Sequence, residues 1–200
     1  MGRWEPDARG RMIRAAMDLF AERGFEQTTA GDIAESAGVT ERTFFRHFTD
    51  KREVLFDGSA TLERTAHDAI LAAPDDMSPL EAALTGIVAG GGLLEQRREH
   101  AVRRSRIVAA HPSLQERELL KLAAMTESTA KALHERGVAE PAASLAAHSA
   151  VTVFHVAFAR WIAAQDGDAA QDGNEGRDAG APPSFVDCVA DTAAALRALT

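Results

Sequence analysis

The side chains with the clearest possible chemistry lie on a short helix that the sequence predicts from about Thr40 to His47. Arg42 and Thr43 lie near the N-terminus of this helix, where side chains can reach the edges of DNA bases. Arginine can form two parallel hydrogen bonds with guanine. The alternative for Arg42 is a contact with phosphate alone, and both interpretations stay open at this point.

A second short helix is predicted just upstream, and a tight turn joins the two. Ala34 is small enough for two helices to cross closely, and Gly38 can adopt the left-handed conformation that reverses the chain. This spacing predicts a helix-turn-helix, whose second helix enters the major groove of DNA. Thr28 and Thr29 lie at the start of the first helix, where hydroxyls and backbone amides suit a phosphate. Helix capping is the alternative role for both threonines, and the two roles are compatible.

The rest of the chain predicts further helices, with glycine or proline at most of the boundaries and no alternation typical of strands. Together they give an all-α chain of about nine helices. The segment 166–180 has almost no apolar residues and predicts a mobile acidic loop. Besides the two short helices, the predicted ranges are 7–23, 50–73, from 78 to a break at 90–92, 93–109, 112–137, 141–165 and from 184 onward.

Several short motifs resemble the DNA-binding signature of the TetR family of transcriptional regulators. They are Thr28-Thr29, Asp32-Ile33-Ala34, Ala37-Gly38-Val39, Thr43-Phe44-Phe45-Arg46-His47-Phe48 and Asp50-Lys51. The resemblance implies a three-helix DNA-binding domain in residues 1–52 and a helical effector-binding and dimerisation domain in residues 53–200. In the C-terminal half, the segment RRSRIVAAHPSLQER at residues 103–117 is also faintly similar to TetR regulators near mycofactocin clusters, which implies an acyl-CoA-like effector.

The resemblance further implies roles for individual residues of the DNA-binding domain. His47 and Lys51 are expected to contact phosphates, with packing as the alternative for His47. Phe45 stands where the family usually has tyrosine, so we expect its packing to remain and one hydrogen bond to phosphate to be lost. The predicted DNA-binding residues are Thr28, Thr29, Thr40, Arg42, Thr43, Phe45, His47 and Lys51.

A candidate effector pocket is predicted from two C-terminal helices. His148, Thr152 and His155 recur at steps of four and three residues, which places them on one helix face. Small-molecule pockets are mostly apolar with a few placed polar groups, so an apolar effector fits such a set. Core packing is the alternative for the apolar members, and an interface contact is the alternative for His155. The predicted effector-binding residues are Leu122, Met125, Thr129, His148, Thr152, His155, Phe158 and Trp161.

A basic run, Arg97, Arg98, Arg103, Arg104 and Arg106, has two interpretations. It is either a solvated helix face paired with acidic neighbours or a site for an anionic effector.

The segment 141–165 is apolar on nearly every side, so it must be buried on nearly every side. Small residues such as Ala146, Ala147, Ala150, Ala157 and Ala163 would let another helix approach closely. We therefore expect a homodimer that pairs this segment and the last helix with their copies in a four-helix bundle. The family resemblance implies the same interface, and a monomer with an internal helix pair is the alternative.

Charge and composition indicate where DNA contacts can lie and which other classes of protein are not expected. The net charge is −8, yet residues 1–52 hold nine basic and nine acidic residues, so the excess of acid lies entirely in residues 53–200. DNA contacts must therefore come from a few placed residues of the N-terminal segment. The single Cys188 and the lack of an apolar signal region lead us to expect a cytoplasmic protein with no membrane partner. Enzyme and metal motifs are missing from the sequence, so no catalysis, cofactor or metal is expected.

The sequence thus predicts a homodimeric regulator that binds a palindromic operator in double-stranded DNA. We expect a repressor that a small-molecule effector releases from the operator. One alternative is a DNA-binding dimer without an effector, whose C-terminal half serves only dimerisation. Another is an enzyme in the C-terminal helices, for which no cluster of acid, base and nucleophile is found.

Overall fold

The fold is built from α-helices throughout the residues that the computed structural model describes, which are 7–171 and 182–199, with backbone only for 165–171. This confirms the all-α prediction, and the described part holds nine α-helices and one 3-10 helix. In chain order they are α1 (Ala8–Arg23), α2 (Ala30–Ser36), α3 (Glu41–His47), the 3-10 helix (Arg52–Phe56), α4 (Ser59–Ala72), α5 (Pro79–Glu95), α6 (Arg98–Ala109), α7 (Pro112–Glu135), α8 (Ala142–Gln171) and α9 (Phe185–Arg197).

The chain forms two compact units. The N-terminal unit holds residues 7–58 together with Arg103–Glu118, and the C-terminal unit holds Ser59–Val102 together with the described residues from Leu119 onward. Because α6 and α7 contribute residues to both units, a single cut in the sequence does not separate them. The division into functional domains at residues 52 and 53 stays a prediction.

Local sequence signals explain four of the nine helix starts in the described residues. Thr29 with Asp32, Ser78 with Glu81 and Ser184 with Asp187 form reciprocal capping boxes at the starts of α2, α5 and α9. Thr40 caps α3 through its side chain, which accepts a hydrogen bond from the Thr43 amide.

The single helix predicted over 50–73 was wrong. Arg52–Phe56 forms the 3-10 helix, and α4 begins only at Ser59. Between them Asp57 is extended and Gly58 adopts a φ of 90°, in the left-handed region that ends a helical run. The split lets Val54, Leu55 and Phe56 enter the core of the N-terminal unit.

The predicted break at Gly90–Gly92 was also wrong, because α5 continues through all three glycines to Glu95. Close packing explains two of the glycines in this helix. A Cβ atom at Gly91 would overlap the ring of Phe185, and one at Gly86 would lie 2.8 Å from the carbonyl oxygen of Ala66. These positions therefore allow α5 to approach α4 and α9.

The helix α8 extends beyond its predicted end. Its backbone is helical through Gln171, so it includes the first residues of the predicted acidic loop 166–180, and the rest of that loop lies outside the described residues. By length and composition alone, Ala142–Ala164 could cross a membrane. The core helix of a soluble protein has the same profile, and α8 packs against α5 and α9 in the C-terminal unit.

Candidate functional site

The candidate DNA-reading helix α3 is short, and apolar side chains anchor it to the N-terminal unit. Phe44 is fully buried and Phe48 is nearly so. Their rings pack at 5.4 Å between centroids, within a core that also contains Ile33 and Phe20. At the start of α3 the hydroxyls of Thr40 and Thr43 lie 3.0 Å apart. One side of the helix is therefore fixed, and the other side is left to face outward.

The outward side of α3 carries two arginines and an aromatic ring. Arg42, Phe45 and Arg46 are all exposed, and the Phe45 side chain is 51% exposed. Arg42 and Arg46 are four residues apart, which places them on one helix face. We had not predicted Arg46 as a DNA contact, although its spacing from Arg42 carries that signal. The face combines two cations with an apolar ring, a combination that suits phosphates and thymine methyl groups.

Thr28 is turned away from this face. Its side chain is fully buried, and its hydroxyl donates a hydrogen bond to the carbonyl oxygen of Gly24 at 2.9 Å. A phosphate contact through this hydroxyl therefore does not fit the structure. Thr29, in contrast, is exposed at the N-terminus of α2, where its hydroxyl and amide bind Asp32. The hydrogen bonds from the amide and hydroxyl of Thr29 lower the pKa of the Asp32 carboxyl.

Lys51 is engaged inside the N-terminal unit. Its Nζ atom donates to the carbonyl oxygens of Phe25 at 2.7 Å and Thr28 at 2.9 Å, with Glu26 at 3.4 Å. The same atom lies 4.3 Å from the centroid of the Phe25 ring. Lys51 therefore ties down the turn that leads from α1 into α2. This interaction leaves few donors for the phosphate that we had expected Lys51 to contact.

His47 is half-buried at the end of α3. Its ring lies beside Phe48, with 6.5 Å between the centroids, and its Nε2 atom is buried without a hydrogen-bond partner among the described residues. Packing, the alternative role, fits this position. A phosphate contact would have to use the remaining edge of the ring.

The predicted effector residues do not converge on one cavity. His148, Thr152 and His155 are exposed on α8, and local bonds hold two of them, since His148 Nδ1 lies 2.8 Å from Ser144 O and Thr152 donates to His148 O at 2.9 Å. Trp161 is fully buried on the opposite, inner side of α8. These residues therefore lie on different sides of α8, and their role in effector binding stays a prediction. On α7, Leu122 and Met125 are half-buried and Thr129 is buried. Phe158 is half-buried and packs on Trp161, with 5.9 Å between the ring centroids.

The small residues of α8 also face a different partner from the one predicted. Ala146, Ala147, Ala150 and Ala157 are buried in the core of their own C-terminal unit, and only Ala163 is exposed. The outward face of α8 instead carries Leu145, His148, Thr152, His155, Val156 and Ala159. On α9 the exposed residues include Val186, Ala190 and Ala194, four residues apart. Together these outward residues form a mixed, largely small and apolar surface, called the α8–α9 face below.

Comparison with known proteins finds a family match for the N-terminal segment. Residues 12–57 match the sequence profile of the family described as bacterial regulatory proteins, tetR family. The chain is 39% identical over 74 residues to the transcriptional regulator TcmR of Streptomyces glaucescens, which covers 37% of this chain and 33% of TcmR. It is 40% identical over 47 residues to the repressor KstR2 of Mycobacterium tuberculosis H37Rv, covering 24% of each. The matched segments thus span a third or less of these curated relatives.

Solved structures extend the comparison to the rest of the fold. A TetR-family regulator from Syntrophomonas wolfei superposes with a TM-score of 0.64 at 15% identity, covering 96% of this chain and 94% of the other. The TetR-family repressor FadR of Thermus thermophilus, solved with lauroyl-CoA, gives 0.53 at 21% identity, covering 94% and 93%. These similarities concern the fold alone. Residues 12–57 are thus a DNA-binding segment of the TetR family type, and the described chain has the all-helical fold of solved TetR-family regulators.

Proposed function

We propose that this protein is a homodimeric repressor that binds a palindromic operator through α3 and leaves it when a small molecule binds the C-terminal unit. The observation that carries the proposal is the outward face of α3, where Arg42, Phe45 and Arg46 project from a helix anchored by buried Phe44. A regulator of this kind acts in the cytoplasm and is not an enzyme.

The proposed DNA face is narrower than the sequence alone suggested. We assign base contacts to Arg42 and Phe45, and phosphate contacts to Arg46 and the N-terminus of α2 at Thr29. Thr40 and Thr43 hold the start of α3 and can add a hydroxyl contact. Arg46 takes over the phosphate role that we had expected of Lys51.

The α8–α9 face supports the proposed dimer. It exposes Leu145 and Val156 on α8 and Val186 on α9, and these residues are 65%, 44% and 42% exposed. A twofold axis would pack the α8–α9 face of one protomer on the same face of its partner. Each of these residues would then be buried on both protomers of the dimer. A dimer is also what a palindromic site requires, because two reading helices about 34–36 Å apart meet successive major grooves.

The effector class is proposed from a structural neighbour. The lauroyl-CoA bound to the Thermus FadR makes acyl-CoA one class to test. The outward placement of His148, Thr152 and His155 favours the alternative, in which the C-terminal unit serves only dimerisation. For release, an effector must prefer one of two conformations, because it shifts the equilibrium only by its differential affinity for them.

The test begins with selection of bound sequences from a random pool of duplex DNA, followed by gel-shift titration of the selected site. We expect a palindromic site and a complex with two protein chains. Titration of that complex with lauroyl-CoA and a panel of apolar drugs then tests release. Selection of no sequence, or a complex with one chain, would contradict the proposal. A specific complex that no compound releases would favour the effector-free alternative.

A further inference from the structure

Four aromatic side chains of the C-terminal unit form one continuous cluster. The ring centroids lie 5.7 Å apart for Trp161 and Phe185, 5.9 Å for Phe158 and Trp161, and 5.8 Å for both Phe154–Phe158 and Phe154–Phe185. Trp161 and Phe185 are fully buried, whereas Phe154 and Phe158 are half-buried. The cluster therefore reaches from the core toward the surface.

Arg98 stacks on the buried Trp161 of this cluster. Its Cζ atom lies 4.9 Å from the centroid of the Trp161 ring, and its Nη2 atom donates to the carbonyl oxygen of Trp161 at 3.2 Å. The Arg98 side chain is only 18% exposed. Glu95 balances its charge, with 3.8 Å between Glu95 Oε1 and Arg98 Nη1, while the other oxygen of Glu95 accepts from the Phe185 amide at 2.7 Å.

Two buried hydrogen-bond donors of this stacked pair are unsatisfied. Within the described ranges, neither Nε of Arg98 nor Nε1 of Trp161 has an acceptor, although both atoms are buried. Buried donors without partners are uncommon in folded proteins, since each loses its bonds to water without a replacement. Both unsatisfied donors belong to one arginine–indole stack, so one bound molecule could serve both.

We propose that Arg98 and Trp161 form the recognition end of an effector site for planar aromatic carbonyl compounds. The inference rests on the proposed ligand-responsive function and names the chemistry of its effector. A neutral carbonyl oxygen suits the site better than a carboxylate, because Glu95 already neutralises Arg98 and would repel a second anion. Two N–H groups can bond the two lone pairs of one carbonyl oxygen. The aromatic cluster supplies walls that stack on a planar ring. In this proposal the ligand enters beside Phe158, which is half-buried and packs on Trp161.

The indole N–H of Trp161 gives a direct readout. The chain has two tryptophans, so the Trp4→Phe variant leaves Trp161 as the sole indole signal in a nitrogen-15 spectrum of the dimer. The probes are 2-acetonaphthone and 2-ethylnaphthalene, which share their planar rings and differ in the carbonyl oxygen. We expect 2-acetonaphthone to move the indole proton signal downfield, as a new hydrogen bond does, and 2-ethylnaphthalene to leave that proton without such a shift.

Calorimetry supplies the matching affinities. Removal of the carbonyl from the probe should weaken binding on the order of 10-fold, because a buried donor loses its acceptor. Trp161→Phe and Arg98→Gln should remove most of this difference between the two probes, and Arg97→Gln, a control at the exposed neighbouring residue, should not. The Phe variant keeps an aromatic ring at the site, and unchanged binding of 2-ethylnaphthalene shows that the site remains folded.

Equal affinities for the two probes, or an indole signal that neither probe moves, would overturn the inference. Those results leave the proposed function intact if another compound releases the operator complex. Failure of the ligand-free protein to bind any specific operator would instead contradict the proposed function, whether or not 2-acetonaphthone binds at Trp161.

Discussion

Lys51→Met tests how the N-terminal unit is held together. In the structure the Lys51 ammonium group holds the turn between α1 and α2 through the carbonyl oxygens of Phe25 and Thr28, at 2.7 and 2.9 Å. Methionine keeps much of the apolar stem but removes the charge and all donors. If Lys51 is a structural clamp, the substitution destabilises the protein without DNA. If it is a phosphate contact, the substitution affects only the complex.

The expected loss follows from the two short bonds. A hydrogen bond that involves a charged group contributes about 1.5–3 kcal/mol in net terms. Lys51 is only partly buried, so water can replace part of each bond at the freed carbonyl oxygens. We therefore expect a loss of about 2 kcal/mol in the free energy of unfolding, less than the full value of two such bonds. For a chain of this length that corresponds to a decrease in Tm of about 4–8 °C.

The assay is thermal unfolding of the DNA-free protein, followed by calorimetry or circular dichroism. Arg46→Met is the matched control, because it removes the same charge from an exposed side chain of the same unit. We expect the Tm of Arg46→Met to stay within about 2 °C of wild type, since substitutions at the surface usually change stability little. Operator affinity should fall in both variants, for different reasons.

The dependence of operator binding on salt separates those reasons further. Loss of a phosphate contact lowers the slope of log K against log salt by about 0.9 for each contact. We expect this change for Arg46→Met and not for Lys51→Met. An unchanged Tm for Lys51→Met, together with a lower salt slope, would refute the clamp and restore the phosphate contact.

Four further predictions concern separate parts of the chain. Arg42→Ala should weaken binding to the selected operator by about 1–3 kcal/mol per half-site in a gel-shift titration and relax the preference at one base pair; wild-type affinity would remove Arg42 from the DNA face. Val156→Glu should convert the dimer to monomers of 21.3 kDa in light scattering, because each protomer would bring one unpaired charge into the α8–α9 interface. Ala123→Glu, a control at an exposed residue of α7, should stay dimeric. Gly91→Ala should cost about 1–3 kcal/mol because its Cβ would overlap Phe185, and Gly92→Ala should instead stabilise α5 by about 0.5–1 kcal/mol because nothing lies within 4 Å of its Cβ; equal effects of the two substitutions on chemical denaturation would contradict the packing argument. The Ser184 hydroxyl and amide lower the pKa of Asp187 from its ordinary 3.8. The stability that this carboxylate contributes is therefore complete above that value and is lost as the pH falls below it. The Tm difference between wild type and Asp187→Ala should accordingly shrink between pH 6 and pH 2.

Helix starts were predictable because their signals are local. A serine or threonine followed three residues later by an acid satisfies free backbone amides wherever the rest of the chain lies. The capping boxes at Thr29, Ser78 and Ser184 therefore appear where the sequence placed them. The exposed face of α3 followed for the same reason, since the spacing of Phe44 and Phe48 fixes which side is buried.

Helix continuity was less predictable, because distant residues decide it. Three consecutive glycines predict a break from propensity alone. In the structure Gly91 accepts the ring of Phe185, a residue more than ninety positions later, and the packing of α5 on α9 outweighs the propensity of the glycines. The break at Gly58 has a similar origin, because burial of Val54, Leu55 and Phe56 in the N-terminal unit holds this segment apart from α4.

Side-chain partners at the candidate sites depend even more on tertiary structure. The expected partner was a phosphate both for Thr28, from its place at a helix N-terminus, and for Lys51, from the family resemblance. Both instead bond to backbone groups near the end of α1, through the hydroxyl of Thr28 and the ammonium group of Lys51. Only the approach of the chain after α3 to the turn before α2 brings these groups together, and no spacing in the sequence encodes that approach.

The hydrophobic pattern of α8 did not predict which of its faces is buried. A helix that is apolar on nearly every side does not show from its sequence which face points into its own core. Its small residues and its polar residues were therefore each compatible with that core or with a second copy of the chain. The structure turns Ala147, Ala150 and Ala157 inward and leaves Thr152 and His155 outward. A self-complementary dimer face can hold such polar groups when each finds a hydrogen-bond partner across the axis. The polar residues that we had assigned to an effector would then set the register of the dimer, while the arginine–indole stack on the inner side of the same helix stays available to a ligand.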